Sequence, residues 1–105
     1  MGLDSMWSGS VEGSFDLCGG MFSGHGNDSF RGKVYNALVE AITGVSLYQE
    51  EIPNATVVEM GRKLGEVPLS DVRKFDPDIP HKEFNDLVTM FQAHGAAGHV
   101  LRGWW

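Results

Sequence analysis

Cysteine is all but missing: Cys18 stands alone in 105 residues, so no disulfide can form within the chain. Basic clusters are scarce as well. Eight Lys and Arg face 14 Asp and Glu, for a formal charge of −6, and no basic run exceeds Arg62-Lys63 or Arg73-Lys74. Nucleic-acid binding depends on neutralising phosphates, so a chain without a basic face is expected to have no nucleic-acid partner. No apolar run approaches the ~20 residues of a membrane span. The segment Met1-Gly2-Leu3-Asp4-Ser5-Met6-Trp7 also lacks the basic start and long apolar stretch of a secretory signal. A cytoplasmic protein without membrane contact is therefore expected, in which the sequons Asn27-Asp28-Ser29 and Asn54-Ala55-Thr56 carry no glycan.

What is present suits a folded protein. Hydrophobic residues make up 42% and aromatics 10%, a globular balance, and the length fits a single domain over 1–105. Fourteen glycines are about twice the usual share, so sharp turns are expected.

Residues 3–7 read as a strand, and 11–17 as a second, joined by Ser8-Gly9-Ser10. Val11, Gly13, Phe15 and Leu17 alternate with Glu12, Ser14 and Asp16, the period of a half-buried strand. From Phe30 the period becomes helical through Val34, Leu38, Ala41, Ile42 and Val45. The spacing predicts a helix over 29–43, capped by Asp28 or Ser29 and closed by Gly44. Gly32, near its start, costs about 1 kcal/mol in a helix and suggests close packing there or an irregular turn.

A second helix is expected over 55–64, with Asn54 or the Thr56-to-Glu59 box as its cap, Val57, Met60 and Leu64 as its apolar stripe, a Glu59–Lys63 pair on its surface and a stop at Gly65. Residues 66–80 hold three prolines and read as a loop with room for one turn at Ser70-Asp71. A third helix is expected over 79–94, carrying Phe84, Leu87, Val88 and Phe91 and ending at Gly95. Gly98 to Trp105 reads as a last strand. The expected fold is α+β: a small antiparallel sheet, made of an N-terminal hairpin and a C-terminal strand, packed against about three helices.

Two features invite chemistry. The first is the junction Gly19–Gly32, with five glycines in fourteen residues, which leads into a helix start where free backbone N–H groups can meet an anion. Gly24, Gly26, Ser29 and Arg31 are its candidate ligand-binding residues. His25 and Asp28 are its candidate catalytic pair for proton transfer. Neither phosphate motif fits, because five residues separate Gly26 from Gly32-Lys33 where a P-loop has four, and Val34 replaces the Mg²⁺-binding hydroxyl. Gly24-His25-Gly26-Asn27-Asp28-Ser29 ends in Ser where the dinucleotide fingerprint has Gly. The alternative is that the glycines only let the chain turn. His81, Glu83, His94 and His99 have no recognised metal spacing, so no metal and no cofactor are expected. Cys18 beside His25 is expected to be a small buried hydrophobe. Glu50 and Glu51, adjacent on an extended segment next to Tyr48, point to opposite faces and do not form an acid/base pair.

The second feature is Leu101-Arg102-Gly103-Trp104-Trp105. Two tryptophans expose large apolar area unless they dock on the body or on a partner. Trp104 meeting Trp7 across the sheet, with Arg102 stacked on either ring, is one arrangement; lining a ligand site or a dimer contact is the other.

Met1-Gly2-Leu3-Asp4 followed by Trp7 resembles the start of small uncharacterised bacterial and phage proteins, a resemblance that implies no active site. Taken together, the residues favour a non-enzymatic binding module, homodimeric, which takes a protein partner or a small organic ligand. The alternative is a small enzyme that holds an anionic substrate through Gly19–Gly32 and Arg31.

Overall fold

In a computed structural model of the chain, residues 3–11 and 29–105 are described. They form β1 (Asp4–Trp7), β2 (Ser29–Phe30), α1 (Gly32–Thr43), β3 (Glu51–Ile52), α2 (Asn54–Glu66), α3 (Leu69–Phe75), α4 (His81–Ala96) and β4 (Leu101–Trp104). The fold is α+β, with four helices and one four-stranded antiparallel sheet in the order β2-β1-β4-β3.

Alternation along β1 and β4 sorts the sheet into two faces. Trp7 pairs with Leu101, Ser5 with Gly103 and with Phe30, and Ile52 with Leu101. These residues share one face, and its large apolar members join the core. Trp7 meets Phe91 of α4 edge-on at 5.2 Å, and Phe30 lies 6.0 Å from Phe91 and 6.4 Å from Tyr35 of α1. Asp4, Met6, Arg102, Trp104 and Glu51 alternate onto the opposite face.

The N-terminal hairpin takes another form. β1 pairs with β4 along its whole length and with the two-residue β2; beyond Val11, the strand expected over 11–17 lies outside the described residues. Past Trp7, Ser8 continues the alignment with β4, since its N–H donates to the Val100 carbonyl at 3.0 Å and its hydroxyl accepts from the Val100 N–H at 2.9 Å.

Helix α1 starts later than its periodicity suggests, because Ser29 and Phe30 are strand residues. Counting the stripe from Phe30 therefore rotates it. Tyr35, Leu38 and Val39 point inward, whereas Val34 is 56% exposed and Ala41 is exposed. Gly32 is a close approach of α1 to the segment Leu3–Ser5. A Cβ there would lie 2.2 Å from Ser5 Oγ and 2.9 Å from a Leu3 methyl. Gly44 closes the helix at φ 78°, its N–H donating to Glu40.

The other three helices each follow a proline. Pro53, Pro68 and Pro80 are extended, and their carbonyls accept from Val57, Val72 and Phe84. Asn54 and Ser29 do not cap as expected: α1 follows Arg31, and Asn54 instead donates to the Gly95 and His99 carbonyls at 3.0 and 2.9 Å, while the other expected cap of α1, Asp28, lies outside the described residues. α2 runs through Gly65 and buries Val57, Met60, Gly61 and Leu64. α3, within the stretch expected to be a loop, contributes Val72 to the core. α4 passes Gly95 because that glycine is a packing position: a Cβ on it would meet Val58 Cα of α2 at 3.3 Å.

Candidate functional site

The aromatic end of β4 is built by a close backbone approach. Leu101 is buried, and Gly103, two residues on, faces the segment Leu47–Glu50. Its N–H donates to the carbonyls of Gln49 at 3.1 Å and Glu50 at 3.3 Å. A Cβ on Gly103 would stand 2.5 Å from the Gln49 oxygen and 3.0 Å from that of Leu47, so only glycine lets the two segments touch. The Leu47–Glu50 segment is itself fixed at its start, where the Leu47 N–H donates to Asn36 Oδ1 of α1 at 2.7 Å and the Leu47 side chain is buried.

This approach brings Tyr48 against Trp105, with ring centroids 5.7 Å apart and planes at 72°. Trp104 is 70% exposed, Trp105 51% and Tyr48 42%. Glu50, Gly103, Trp104 and Trp105 line an open cavity of about 390 Å³. Its one charged lining residue is acidic, Glu50, and Asp4 is the cross-strand partner of Trp104. Arg102, on the same sheet face as Trp104, is held by Glu51 at 3.3 Å.

Trp104 and Trp7 do not meet across the sheet. Adjacent strand residues point to opposite faces, and Trp7 is paired with Leu101, not with Trp104. Trp7 is 6% exposed and stacks on the fully buried His94 at 4.3 Å with planes 5° apart. His94 Nδ1 lies 2.8 Å from His99 Nδ1, a contact in which one ring donates and the other accepts. His94 at a helix end is thus part of the core. Its burial was not legible in the sequence, because the ring that covers it comes from β1.

The glycine-rich junction is only partly visible. Gly24, His25, Gly26 and Asp28 lie outside the described residues, as does Cys18. Ser29 is buried on β2, its hydroxyl without a hydrogen-bond partner among the described residues, and Arg31 is exposed just ahead of α1. Of the first amides of α1, the Lys33 N–H donates to the Leu3 carbonyl at 3.1 Å and the Val34 N–H to that of Arg31 at 3.0 Å. Those two N–H groups are spent on the backbone. Among the described residues, no three His, Cys, Asp or Glu side chains gather as a metal site, and no helix is long and apolar enough to cross a membrane.

The fold and this surface define a small α+β protein with two exposed tryptophans at the end of its C-terminal strand, Trp104 as its last residue and Trp105 just beyond it. No family model, curated protein or solved structure matches the chain.

Proposed function

We propose that the chain is a small non-enzymatic binding module, acting as a homodimer, with the Tyr48–Trp104–Trp105 end of the sheet as its recognition surface for a protein or small organic ligand. The exposure of both tryptophans carries this reading. The protein closes its core around Trp7, Phe30, Phe84 and Phe91, yet leaves two further tryptophans exposed at the end of β4. Large aromatic side chains with an apolar body and a polar N–H are the residues most enriched at binding hot spots. Gly103 adds support, since it holds Tyr48 and Trp105 in a fixed corner before any partner arrives, which lowers the ordering cost of association.

Indole N–H signals in a ¹⁵N-labelled sample test the surface, because Trp7 is an internal control for the core. A fragment screen is expected to move the Trp104 and Trp105 signals and leave Trp7 in place. A screen in which all three stay fixed would remove the surface reading. Light scattering tests the oligomer: a dimer mass is expected, and a monomer mass at every concentration overturns the homodimer.

A further inference from the structure

The surroundings of the aromatic corner identify what it takes. A tryptophan face attracts cations through its quadrupole, and the attraction grows when an anion stands beside the ring. Here Trp104 and Trp105 share a cavity with Glu50, and Asp4 lies directly across the strand from Trp104. The nearby basic residue of the chain's own sheet, Arg102, is bound to Glu51 at 3.3 Å, so Glu51 answers Arg102 while Glu50 faces the cavity. The protein as a whole is acidic, at −6, which favours approach of a positive partner.

The cavity's shape bears on the source of that cation. At about 390 Å³ it has the volume of a small-ligand site, but it is an open surface hollow with exposed walls. Such a hollow cannot bury most of a free small molecule. A side chain delivered by a protein partner has no such need, because the partner's own surface completes the enclosure. Arginine suits it better than lysine, since a planar guanidinium can lie on an indole face and still bond a carboxylate at its edge.

Resting on the proposed recognition surface, we infer that the Tyr48–Trp104–Trp105 corner with Glu50 is a receptor for an arginine side chain of a protein partner. The guanidinium stacks on the tryptophans and donates to the Glu50 carboxylate.

The test uses an acetylated, amidated Gly-Arg-Gly peptide and its citrulline counterpart, which keeps the shape and loses the charge. Choline is the third probe. Indole N–H shifts of the full chain are followed at a protein concentration below which they no longer change. The arginine peptide is expected to shift Trp104 and Trp105 but not Trp7, with the citrulline peptide binding more weakly. Trp105→Ala and Glu50→Gln are each expected to weaken the arginine peptide roughly two- to fivefold, with an unmoved Trp7 signal showing that the variants are folded. Equal binding of arginine and citrulline peptides overturns the cation receptor and leaves the surface reading intact. Tighter binding of choline than of the arginine peptide overturns the protein-borne source. If no probe, and no member of the fragment screen, moves either tryptophan, both proposals fall.

Discussion

At Gly103 the absence of a side chain decides the geometry of a whole surface. A methyl group would strike the backbone oxygens of Gln49 and Leu47 at 2.5 and 3.0 Å and the Trp105 ring at 3.0 Å, and backbone cannot step aside as the end of a flexible side chain does. Gly103→Ala is expected to lower stability by about 1–3 kcal/mol and to separate Tyr48 from Trp105; a urea melt together with the Trp105 indole shift reads both. A variant within about 0.5 kcal/mol of wild type, the range of a neutral surface change, would show that the strand and the Leu47–Glu50 segment tolerate separation. The sequence marks Gly103 as one glycine among fourteen, and the reason it must be glycine lies in a segment distant along the chain. Trp104 and Trp105, in contrast, stand out as a pair from composition alone. The exposure that makes them a candidate surface depends on which strand β4 joins and which way its residues alternate.

Among the elements, α2 and α4 cross at glycines whose roles differ. A Cβ on Gly61 would press on Gln92 Cγ, N and Cα at 3.2, 3.3 and 3.4 Å, whereas one on Gly65 would meet mainly the Gln92 side-chain amide at 2.6 Å. Two of the three atoms near Gly61 are backbone, whereas the amide near Gly65 is the end of a flexible side chain, which moves aside by giving up its bond to the Gly61 carbonyl at 3.2 Å. Gly61→Ala is therefore expected to lower stability by about 1 kcal/mol despite better helix propensity. Gly65→Ala is expected to be the milder change, within about 0.5 kcal/mol of wild type, because its helix-propensity gain offsets the displaced Gln92 amide bond. Parallel thermal melts check the pair, and equal effects would mean that the helix crossing does not discriminate the two positions. On the outer side of α2, Glu59 pairs with Arg62 and not, as its spacing suggests, with Lys63; Arg62 also bonds Glu66 at 2.8 Å, and Lys63 reaches the Thr43 carbonyl. The hydrogen bond from Arg62 holds the Glu59 carboxyl below its ordinary value of 4.5. A group lowered on folding stabilises the fold fully above its unfolded value, and the gain is lost as pH falls through the folded value. The melting difference between wild type and Glu59→Gln is thus expected at neutral pH and to shrink below pH 4.5. It is small and salt-sensitive, since both groups are solvated. A difference that persists in acid would assign it to packing. At this scale helix periodicity was legible in α2 and α4, whose buried stripes follow the expected spacing. α3 was obscured by the prolines around it. Pro68, which reads as a loop residue, supplies the carbonyl that accepts from Asp71 and Val72 in the first turn of that helix, a role indistinguishable in sequence from that of a turn residue.

For the molecule as a whole, the sheet joins what the sequence keeps apart. β4 comes last in the chain and lies between β1 and β3, so the C-terminal aromatics follow closely on Leu101 and Arg102, which are paired on both sides. The same arrangement puts Trp7 on His94 and His94 on His99, joining β1, the end of α4 and the turn into β4. The homodimer expected in solution belongs to this scale as well, because it concerns faces and not single residues. Residue order and composition by themselves determined the α+β class, the helical stripes of α2 and α4, the left-handed turn at Gly44 and the acidic charge, since each follows from local periodicity, backbone conformation or a simple count. Only tertiary structure decided that Trp7 is core and Trp104 surface, that Gly95 and Gly103 are close-packing positions, and that Glu50 shares a cavity with two tryptophans. Those facts depend on strand order and on contacts between distant segments, and no local pattern encodes either.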